Sequence, residues 1–445
     1  MPSDNASRDM RLQVGIKRQM LHAPPTTLRI HRRFVARQRF NLLGAMVATA
    51  LLPFLLRSVV TPIDTFHPSS INSLLFNAAA VVIAFWTRLS IETYPGNRST
   101  HVILPSIVVA HATMITILLF ARLPYDRLAL VAGFVAHILW SYGLYFSVQR
   151  YIRHRIAIVP FGQVDRLEAI DNVGWQRLEH PSLDEAVICD GLVADFSAEI
   201  PPEWEALLAD AALQGRMVYQ VKQLFESLTG RVAIDHLSEN SFGSLVPARG
   251  YFHLKSMADL LVALAVLPLA IIPMAAIALA IKLDSAGPVL FRQRRIGQAG
   301  ELFDMLKFRT MVHSMVNGER GEAITSDGDI RVTRVGSYLR RTRLDELPQI
   351  LNIIAGQMSW IGPRPEAEVL SNWYTGEIPF YRYRHVVRPG ISGWAQVNQG
   401  HVASVDEVHA KLQYDFYYIK YFSAWLDILI TFRTIRTMLT GFGSR

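Results

Sequence analysis

Residues 340–366, RRTRLDELPQILNIIAGQMSWIGPRPE, carry the densest set of features that predict local structure and chemistry. Two adjacent carboxylates, Asp345 and Glu346, precede Pro348, and proline is tolerated in the first turn of a helix because its missing N–H would be unpaired there. Apolar residues at positions 347, 350, 351 and 354 then have the spacing of an amphipathic helix. We therefore predict a helix that begins beside the carboxylate pair and ends near Gly356.

The carboxylate pair has surroundings that suit phosphate chemistry. Free N–H groups and the helix dipole favour bound anions at a helix N-terminus. Four arginines flank the pair: Arg340, Arg341, Arg343 and Arg364. An Asp-Glu pair is also common as a simple helix cap, and arginines are common on any protein surface. This segment alone therefore fits either a helix cap or a catalytic carboxylate pair, and the choice between them depends on the other segments of the chain.

Length and composition indicate a membrane protein of several domains. A chain of 445 residues predicts about two to four domains. Hydrophobic residues make up 51% and charged residues 18%, which is apolar for a soluble enzyme. Residues 1–40 form a basic tail, which beside an apolar segment is typical of contact with the cytoplasmic membrane surface rather than with nucleic acid. The single cysteine, Cys189, excludes an internal disulfide framework.

Four apolar segments follow the tail, and each is near the roughly 20 residues that a helix needs to cross a bilayer. They cover residues 42–60, 71–89, 101–121 and 128–148. Basic residues such as Arg88 and Arg150 mark connections that should be cytoplasmic, whereas the charge-poor segment 61–70 should be external. We predict a bundle of four transmembrane helices over residues 41–149, after which the chain is in the cytoplasm.

Residues 150–250 are predicted to form a cytosolic, Rossmann-like α/β domain. Short apolar runs alternate there with helix-like stretches, which is typical of a partly parallel sheet. The sequence Phe161-Gly162 follows the first predicted strand, but no G-x-G-x-x-G fingerprint occurs, so dinucleotide binding is not supported. The pattern favours a structural or regulatory module without a ligand.

Residues 251–445 are predicted to form a mixed α/β domain that begins with an unusual apolar element. Residues 257–281 could span the membrane at about 1.5 Å per residue, which would place everything after Lys282 outside. Because Pro268 and Pro273 lie inside this element, and interior prolines break or kink helices, we predict a proline-broken re-entrant helix. A straight fifth span is the alternative.

Three later segments of this domain also have predictable structure. Glycines between basic residues in 291–311 predict a hairpin that suits phosphate or anionic lipid headgroups. The sequence RPGISGW, residues 388–394, predicts a rigid turn followed by a short strand. The aromatic and basic segment 414–439 fits either a helix at the membrane interface or a packed core helix.

These blocks together resemble the bacterial sugar transferase family, the polyprenyl-phosphate glycosyl-1-phosphate transferases of the large monotopic phosphoglycosyl transferase type. The matching blocks are Lys255-x-x-x-Asp259, KLDSAGPVLFRQRRIG (282–297), KFRTM (307–311), DIRVTRVGSYLRRTRLDELPQILNIIAGQMSWIGPRPE (329–366) and RPGISGWAQVN (388–398). DELPQ with GPRPE at this spacing is highly specific. Ser256 departs from the family, which usually has a second basic residue there.

The resemblance implies a reaction, its partners and a location. A sugar-1-phosphate, with glucose-1-phosphate and galactose-1-phosphate as first expectations, would pass from a UDP-sugar to undecaprenyl phosphate, releasing UMP and starting exopolysaccharide or capsule assembly. The enzyme would be a multi-pass protein of the bacterial inner membrane, in contact with membrane lipids, with its catalytic domain on the cytoplasmic face. A homodimer is left open, and no nucleic acid is expected.

The resemblance also implies roles for individual residues. Asp345 would be the nucleophile that forms a covalent glycosyl-phosphoryl intermediate, and Glu346 would help it to hold Mg²⁺. A metal and basic residues are needed because the charge of a diphosphate repels a carboxylate nucleophile. Four basic residues would bind substrate phosphate: Lys307, Arg309, Arg340 and Arg364.

Rival functions make different demands on the chain. A membrane sensor or scaffold, with four spans and a cytosolic α/β module, would not need Asp345 and Glu346 and could lose residues beyond about 250. A polytopic phosphoglycosyl transferase would place acidic residues on loops between many spans. An enzyme that modifies nucleotide sugars would need the dinucleotide fingerprint that this sequence lacks.

Overall fold

The computed structural model describes residues 38–60, 67–91, 100–147, 155–171, 173–186, 189–232, 249–312, 331–399 and 405–440. The predicted basic tail at 1–40 therefore falls outside the described residues, except for its last three positions. The chain divides into two compact units, of which the first holds the helices up to residue 147 and the second nearly all of the chain from residue 156 onwards. The predicted domain boundary at residue 250 lies inside the second unit and stays a prediction.

The first unit is built from apolar helices. They are α1 (Gln38–Met46), a π-helical turn (Val47–Leu51), α2 (Leu52–Val60), α3 (Pro68–Ile91), α4 (Thr100–Phe120) and α5 (Arg127–Ser147). Pro53 follows the π-helical turn, a local adjustment that accommodates its missing N–H donor. Large apolar side chains such as Trp86 and Phe120 point outwards, whereas His111 and His137 are buried and hydrogen-bonded to each other at 3.2 Å. Apolar residues outside and polar residues inside suit a lipid solvent.

A four-stranded sheet opens the second unit. Its elements are β1 (Arg155–Ile158), α6 (Asp165–Glu168), β2 (Gly174–Arg177), β3 (Gly191–Ala194), α7 (Pro202–Leu213), β4 (Met217–Gln220) and α8 (Val221–Thr229). The strand order is β2-β1-β3-β4, and β3 pairs in parallel with both β1 and β4. Apolar runs in β1 and β3 are buried, as expected for the centre of a parallel sheet. The predicted α/β region is therefore present.

The rest of the second unit holds the carboxylate pair. Its helices are α9 (Arg249–Asp284), α10 (Arg334–Thr342), α11 (Gln349–Ile354), α12 (Glu368–Glu377), α13 (Trp394–Gln399), α14 (Val405–Lys420) and α15 (Ala424–Thr440). Strands β5 (Leu290–Ile296) and β6 (Leu302–Phe308) form the predicted hairpin, and β7 (Ser359–Ile361) pairs in parallel with β8 (Gly390–Ser392). The short strand predicted after the Arg-Pro-Gly turn is thus confirmed.

Helix α9 continues through both of its prolines. Pro268 and Pro273 lie inside the helix and do not end it. Leu269 and Ile272 are 77% and 78% exposed, so one side of α9 presents apolar side chains that no described residue covers. Ala263 is buried in a cluster with residues of the hairpin and of α11. The re-entrant path of this helix stays a prediction.

The aromatic C-terminal segment forms two helices rather than one. Helices α14 and α15 are separated by a break at residues 421–423. Tyr418 and Phe422 are buried in the large cluster that α12 to α15 share. Within it their rings pack edge to face, with centroids 5.6 Å apart. Of the two alternatives, core packing is the correct one for these side chains.

Candidate active site

A tight turn presents the carboxylate pair. Asp345 and Glu346 lie in a 3₁₀ turn (Leu344–Glu346) between α10 and α11, and both side chains are buried. Arg343 precedes the turn with φ of 61°, a left-handed conformation that non-glycine residues rarely adopt and that recurs at functional sites. Helix α11 then begins at Gln349 and stops before Gly356, which has φ of 74°. The predicted placement of the pair before a helix is confirmed.

Glu346 is surrounded by cations. Its Oε1 accepts a hydrogen bond from Arg364 Nη2 at 2.8 Å, with Lys307 Nζ at 3.4 Å and Arg343 Nη1 at 3.7 Å. Burial alone would raise the pKa of the Glu346 carboxyl, but Arg364 and Lys307 hold that pKa well below its usual range. Glu346 is therefore a fixed negative charge that orients the cations of the site.

Asp345 has a different environment, although it is the adjacent residue. Its Oδ2 lies 4.0 Å from Lys307 Nζ, and its buried Oδ1 has no hydrogen-bond partner within the described part of the chain. Burial raises the pKa of the Asp345 carboxyl, and the charge of Glu346 adds to this effect against the pull of Lys307. The surroundings therefore push the pKa values of these two adjacent carboxyls in opposite directions.

Lys307 reaches the pair from strand β6. Asn352 on α11 ties the two elements together, because its Oδ1 accepts from the Leu306 N–H at 3.0 Å and its Nδ2 donates to the Asp304 carbonyl at 2.8 Å. Burial lowers the pKa of the Lys307 ammonium. The site thus unites the hairpin with the turn that carries the carboxylates.

Two buried guanidinium groups hold the loop that carries Arg364. Arg384 Nη2 donates to the Arg364 carbonyl at 2.9 Å, and Arg295 Nη1 donates to the Pro365 carbonyl at 2.8 Å. Arg384 in turn pairs with Asp415 at 2.7 Å. These donors fix the backbone behind Arg364, so that its side chain can reach Glu346.

A further carboxylate lies behind this loop. Glu366 forms an ion pair with Lys411. Burial alone would raise the pKa of the Glu366 carboxyl, but the positive charges of Lys411 and Arg384 outweigh this effect and lower the pKa to about 2. Sequence analysis assigned no role to Glu366, Arg384 or Asp415. The partners are separated by 31 and 45 residues, and no local pattern signals such pairs.

The four predicted phosphate ligands do not all meet at the carboxylates. Lys307 and Arg364 do. Arg309 Nη2 instead donates to the Ser285 carbonyl at 2.7 Å and caps the end of α9, while Arg340 Nε donates to Thr310 Oγ1 at 2.8 Å. As phosphate ligands all four stay predictions. Arg343, which sequence analysis named only as a flanking residue, contacts Glu346.

The donor set is compatible with Mg²⁺ but not with an all-protein metal cage. Across the residues that the structure describes, no cluster of three or more His, Cys, Asp or Glu side chains could hold a metal. Mg²⁺ is usually bound through one or two carboxylates together with substrate phosphates and waters. Asp345 and Glu346 fit that requirement, because Asp345 Oδ1 has no partner in the described structure.

Comparison with known proteins identifies relatives for the catalytic region and for the whole chain. A family model described as bacterial sugar transferase matches residues 250–441. A UDP-N-acetylgalactosamine-undecaprenyl-phosphate N-acetylgalactosaminephosphotransferase of Aeromonas hydrophila is 42% identical over 423 residues, which cover 94% of this chain and 99% of the relative.

Other relatives match less than half of this chain. A UDP-glucose:undecaprenyl-phosphate glucose-1-phosphate transferase of Escherichia coli is 41% identical over 184 residues, 41% of this chain and 39% of the relative. An exopolysaccharide production protein of Rhizobium leguminosarum is 38% identical over 192 residues, 42% of this chain and 96% of the relative. The Rhizobium relative is therefore matched over nearly its full length by less than half of this chain.

The helices of the structure agree with these matches. Five of the described helical stretches are long and apolar enough to cross a membrane: Phe40–Arg57, Pro68–Arg88, Val102–Phe120, Arg127–Ser147 and Gly250–Asp284. The chain is a membrane protein on this ground. Since the Aeromonas match spans nearly the full length of both proteins and the family match includes the buried Asp-Glu turn, the chain belongs to the bacterial sugar transferase family and is a phosphoglycosyl transferase enzyme.

Proposed function

We propose that this enzyme transfers a sugar-1-phosphate from a UDP-sugar to undecaprenyl phosphate and releases UMP, the first step in assembling an exopolysaccharide or capsule repeat. The buried Asp345-Glu346 turn with Lys307 and Arg364 around it carries the proposal. Such a group of charges suits a diphosphate that meets a carboxylate nucleophile. The names of the relatives supply the donor class and the acceptor.

For the sugar, we favour N-acetylgalactosamine over our first expectations of glucose and galactose. The relative that matches nearly the whole chain is named for N-acetylgalactosamine, whereas the glucose-named Escherichia coli relative matches only 41% of this chain. A UDP-galactose-lipid carrier transferase of Erwinia amylovora is less similar, at 32% identity over 204 residues.

The reaction would proceed in two displacements at phosphorus. In the first, an Asp345 carboxylate oxygen attacks the sugar-bearing phosphorus, and the bond from that phosphorus to the bridging oxygen breaks, which releases UMP. In the second, an oxygen of undecaprenyl phosphate attacks the same phosphorus, and the Asp345 carboxylate leaves. Covalent catalysis of this kind gives ping-pong kinetics and lets a water-soluble donor and a lipid acceptor use one site in turn.

The surrounding residues would support both displacements. Among the described residues Asp345 Oδ1 has no hydrogen-bond partner, and this and the raised pKa of its carboxyl suit a nucleophile, because a more basic carboxylate is the stronger nucleophile. Lys307 and Arg364 would neutralise the phosphate oxygens while Glu346 keeps these cations in place. Mg²⁺ held by Asp345 and Glu346 would supply further charge neutralisation at the diphosphate.

We also propose that α9 re-enters the membrane and returns, with the catalytic domain on the cytoplasmic face of the inner membrane. Near its start Lys255 pairs with Asp427 at 2.7 Å, and near its end Ile281 packs against Phe308 and Leu339. Both ends therefore contact the same catalytic domain, which is hard to reconcile with a straight span. The exposed apolar side chains between the ends would face lipid.

A turnover measurement tests the function. Purified full-length enzyme in nanodiscs with Mg²⁺ and undecaprenyl phosphate is given UDP-N-acetylgalactosamine, UDP-glucose or UDP-galactose in separate reactions. We expect UMP release with all parts present, fastest with UDP-N-acetylgalactosamine. A faster reaction with another donor would change the assigned sugar. Without UMP release from any of the three, the assignment of these donors would fail, and the proposed reaction would survive only if another nucleotide sugar released its nucleotide.

A further inference from the structure

The central sheet contacts the catalytic region through a buried carboxylate on α8. Glu226 is fully buried, and its two oxygens accept from Lys420 Nζ at 2.9 and 2.7 Å. Tyr421 donates its hydroxyl to the same carboxylate at 2.9 Å. Separating Glu226 from Lys420 would leave a buried charge without a partner, so the folded protein keeps this contact. Helix α8 is thereby held against the end of α14.

A second contact lies just beyond α8. Gly230 ends the helix with φ of 67°, and its carbonyl accepts a hydrogen bond from Trp394 Nε1 at 2.8 Å. The positive φ favours glycine at this position, and an added Cβ would make a tight contact of 3.0 Å with the Trp394 ring. The Val232 N–H then donates to the Gln413 carbonyl at 3.1 Å.

Trp394 is fixed from its other sides by the catalytic region. Its ring stacks on Tyr417 with centroids 5.5 Å apart, and the Arg433 guanidinium lies 4.4 Å from the ring centroid. Burial of the ring is nearly complete. The indole is therefore shared between the central and catalytic parts of the second unit.

Trp394 lies two residues after the end of β8, the strand that supports the active-site loop. The Ser392 carbonyl on β8 accepts from the Gly362 N–H at 2.8 Å, at the start of the loop that carries Arg364. The neighbouring Ile391 carbonyl accepts from Arg364 Nη1 at 3.4 Å. A shift of Trp394 would thus move the carbonyl that helps to orient Arg364.

In the central sheet, a side chain of the protein itself occupies the position where such folds usually bind ligands. In open α/β sheets ligands bind at the carboxyl ends of the strands, where the strand order reverses. Here Asp195, after β3, accepts from the Gln163 N–H at 2.9 Å and from Ser197 Oγ at 2.6 Å. A Cβ on Gly162 would lie 2.4 Å from the Asp195 carboxylate. The Asp195 carboxylate therefore occupies this position.

We propose that the central α/β domain is a positioning element of the active site. Docking of α8 through Glu226 and Gly230 fixes Trp394, and Trp394 fixes the β8 carbonyl that orients Arg364. Glu226 and Trp394 are positioning residues and do not touch the reacting atoms. The proposal rests on the proposed function only for its kinetic readout.

The test compares two indole hydrogen bonds in the full-length enzyme. Trp394→Phe keeps an aromatic ring but removes the donor to Gly230. Trp175→Phe is the matched control, since Trp175 Nε1 donates to the Ile170 carbonyl at 3.0 Å within the central domain. We expect Trp394→Phe to raise the KM for UDP-N-acetylgalactosamine about five- to tenfold with a smaller change in kcat, and Trp175→Phe to leave both unchanged.

A double-mutant cycle separates positioning from general destabilisation. If Trp394 acts through Arg364, Trp394→Phe adds little to the loss already caused by Arg364→Lys, and Glu226→Gln behaves in the same way. Fully additive losses, or an unchanged KM in both single variants, would overturn the proposal.

Hydrogen exchange provides a readout that needs no turnover. In Trp394→Phe the Gly362 amide should lose protection because its acceptor on β8 is less firmly held, whereas Trp175→Phe should match the wild type. Equal protection in all three proteins would overturn the proposal even if no UDP-sugar were a substrate. Faster exchange without transfer activity would support it while the proposed function failed.

Discussion

Asp195 in the central sheet and Asp345 in the catalytic region are equally buried, at 7% and 8% exposure, but the fold treats them in opposite ways. Both oxygens of Asp195 accept hydrogen bonds from the chain, so its pKa falls although burial alone would raise it. Asp345 keeps an oxygen without a partner among the described residues, and burial raises its pKa. Exposure alone therefore does not distinguish these two carboxylates, whereas the donors around Asp195 and the unpartnered oxygen of Asp345 do.

The contrast extends to the residue beside Asp345. Glu346 resembles Asp195 in being fully supplied with partners, although these are the cations Arg364 and Lys307 rather than backbone donors. In the proposed reaction, Glu346 would be the structural charge that holds the cations and Asp345 would be the group that reacts. This division of labour is what a nucleophile beside a diphosphate requires.

The largest difference between Asp345 and Asp195 is expected when each aspartate is neutralised in turn. Asp345→Asn should lower kcat at least roughly 10⁴-fold because the nucleophile is lost. Asp195→Asn should leave the turnover of folded enzyme unchanged while lowering the free energy of unfolding by about 1–3 kcal/mol, because buried donors lose their charged acceptor. UMP release and thermal unfolding are the two measurements. Similar activity losses in both variants would remove the distinction.

The pH dependence of kcat/KM also distinguishes Asp345 from Asp195. Asp345 must be ionised to attack, and its pKa in the folded enzyme is raised from the ordinary 3.8. At Mg²⁺ concentrations too low to occupy the carboxylate pair, the acidic limb of kcat/KM should therefore lie above pH 3.8, with a fall of about tenfold per pH unit below the pKa. Saturating Mg²⁺ should move the limb to lower pH, because a bound cation favours the ionised carboxylate. Asp195→Asn should show the same limb, since the pKa of Asp195 is lowered. A limb at or below pH 3.8 at low Mg²⁺ would contradict a desolvated nucleophile.

The smallest effect is expected in the loop that closes the central sheet. Gly162→Ala introduces a Cβ 2.4 Å from Asp195 Oδ2 at a residue with φ of 76°. It should lower the free energy of unfolding by about 1–2 kcal/mol without changing turnover by folded enzyme. Chemical denaturation checks this, with Gly215→Ala as a control for positive φ alone, because a Cβ there meets no atom within 4 Å. Equal losses would show that strain, not Asp195, sets the requirement for glycine.

Local patterns in the sequence were sufficient for much of the fold. The helix after the carboxylate pair, the hairpin and the short strand after Pro389 each depend on neighbouring residues, and all three are present. Pro268 and Pro273 lie inside α9 and do not end it, so the prolines alone did not decide whether the helix turns back, and its return to the same membrane face stays a proposal.

The site was predictable only in part, because long-range pairs leave no local signal. Asp345 and Glu346 could be chosen from the motif, but the partition of their roles depends on Lys307 and Arg364 from other segments. Arg309 has the residue type of a phosphate ligand, yet it caps α9. The Glu226–Lys420 pair joins residues 194 positions apart, and no periodicity could have indicated it.

The covalent role of Asp345 is tested most directly by mass spectrometry of the intact full-length enzyme. The enzyme is incubated with Mg²⁺ and UDP-N-acetylgalactosamine without acceptor. We expect one glycosyl-phosphoryl adduct per chain on a peptide that contains Asp345, a matching amount of UMP, and loss of the adduct when undecaprenyl phosphate is added. Asp345→Asn should form no adduct. UMP release that begins only after the acceptor is added, with no adduct at any time, would contradict the two-step mechanism.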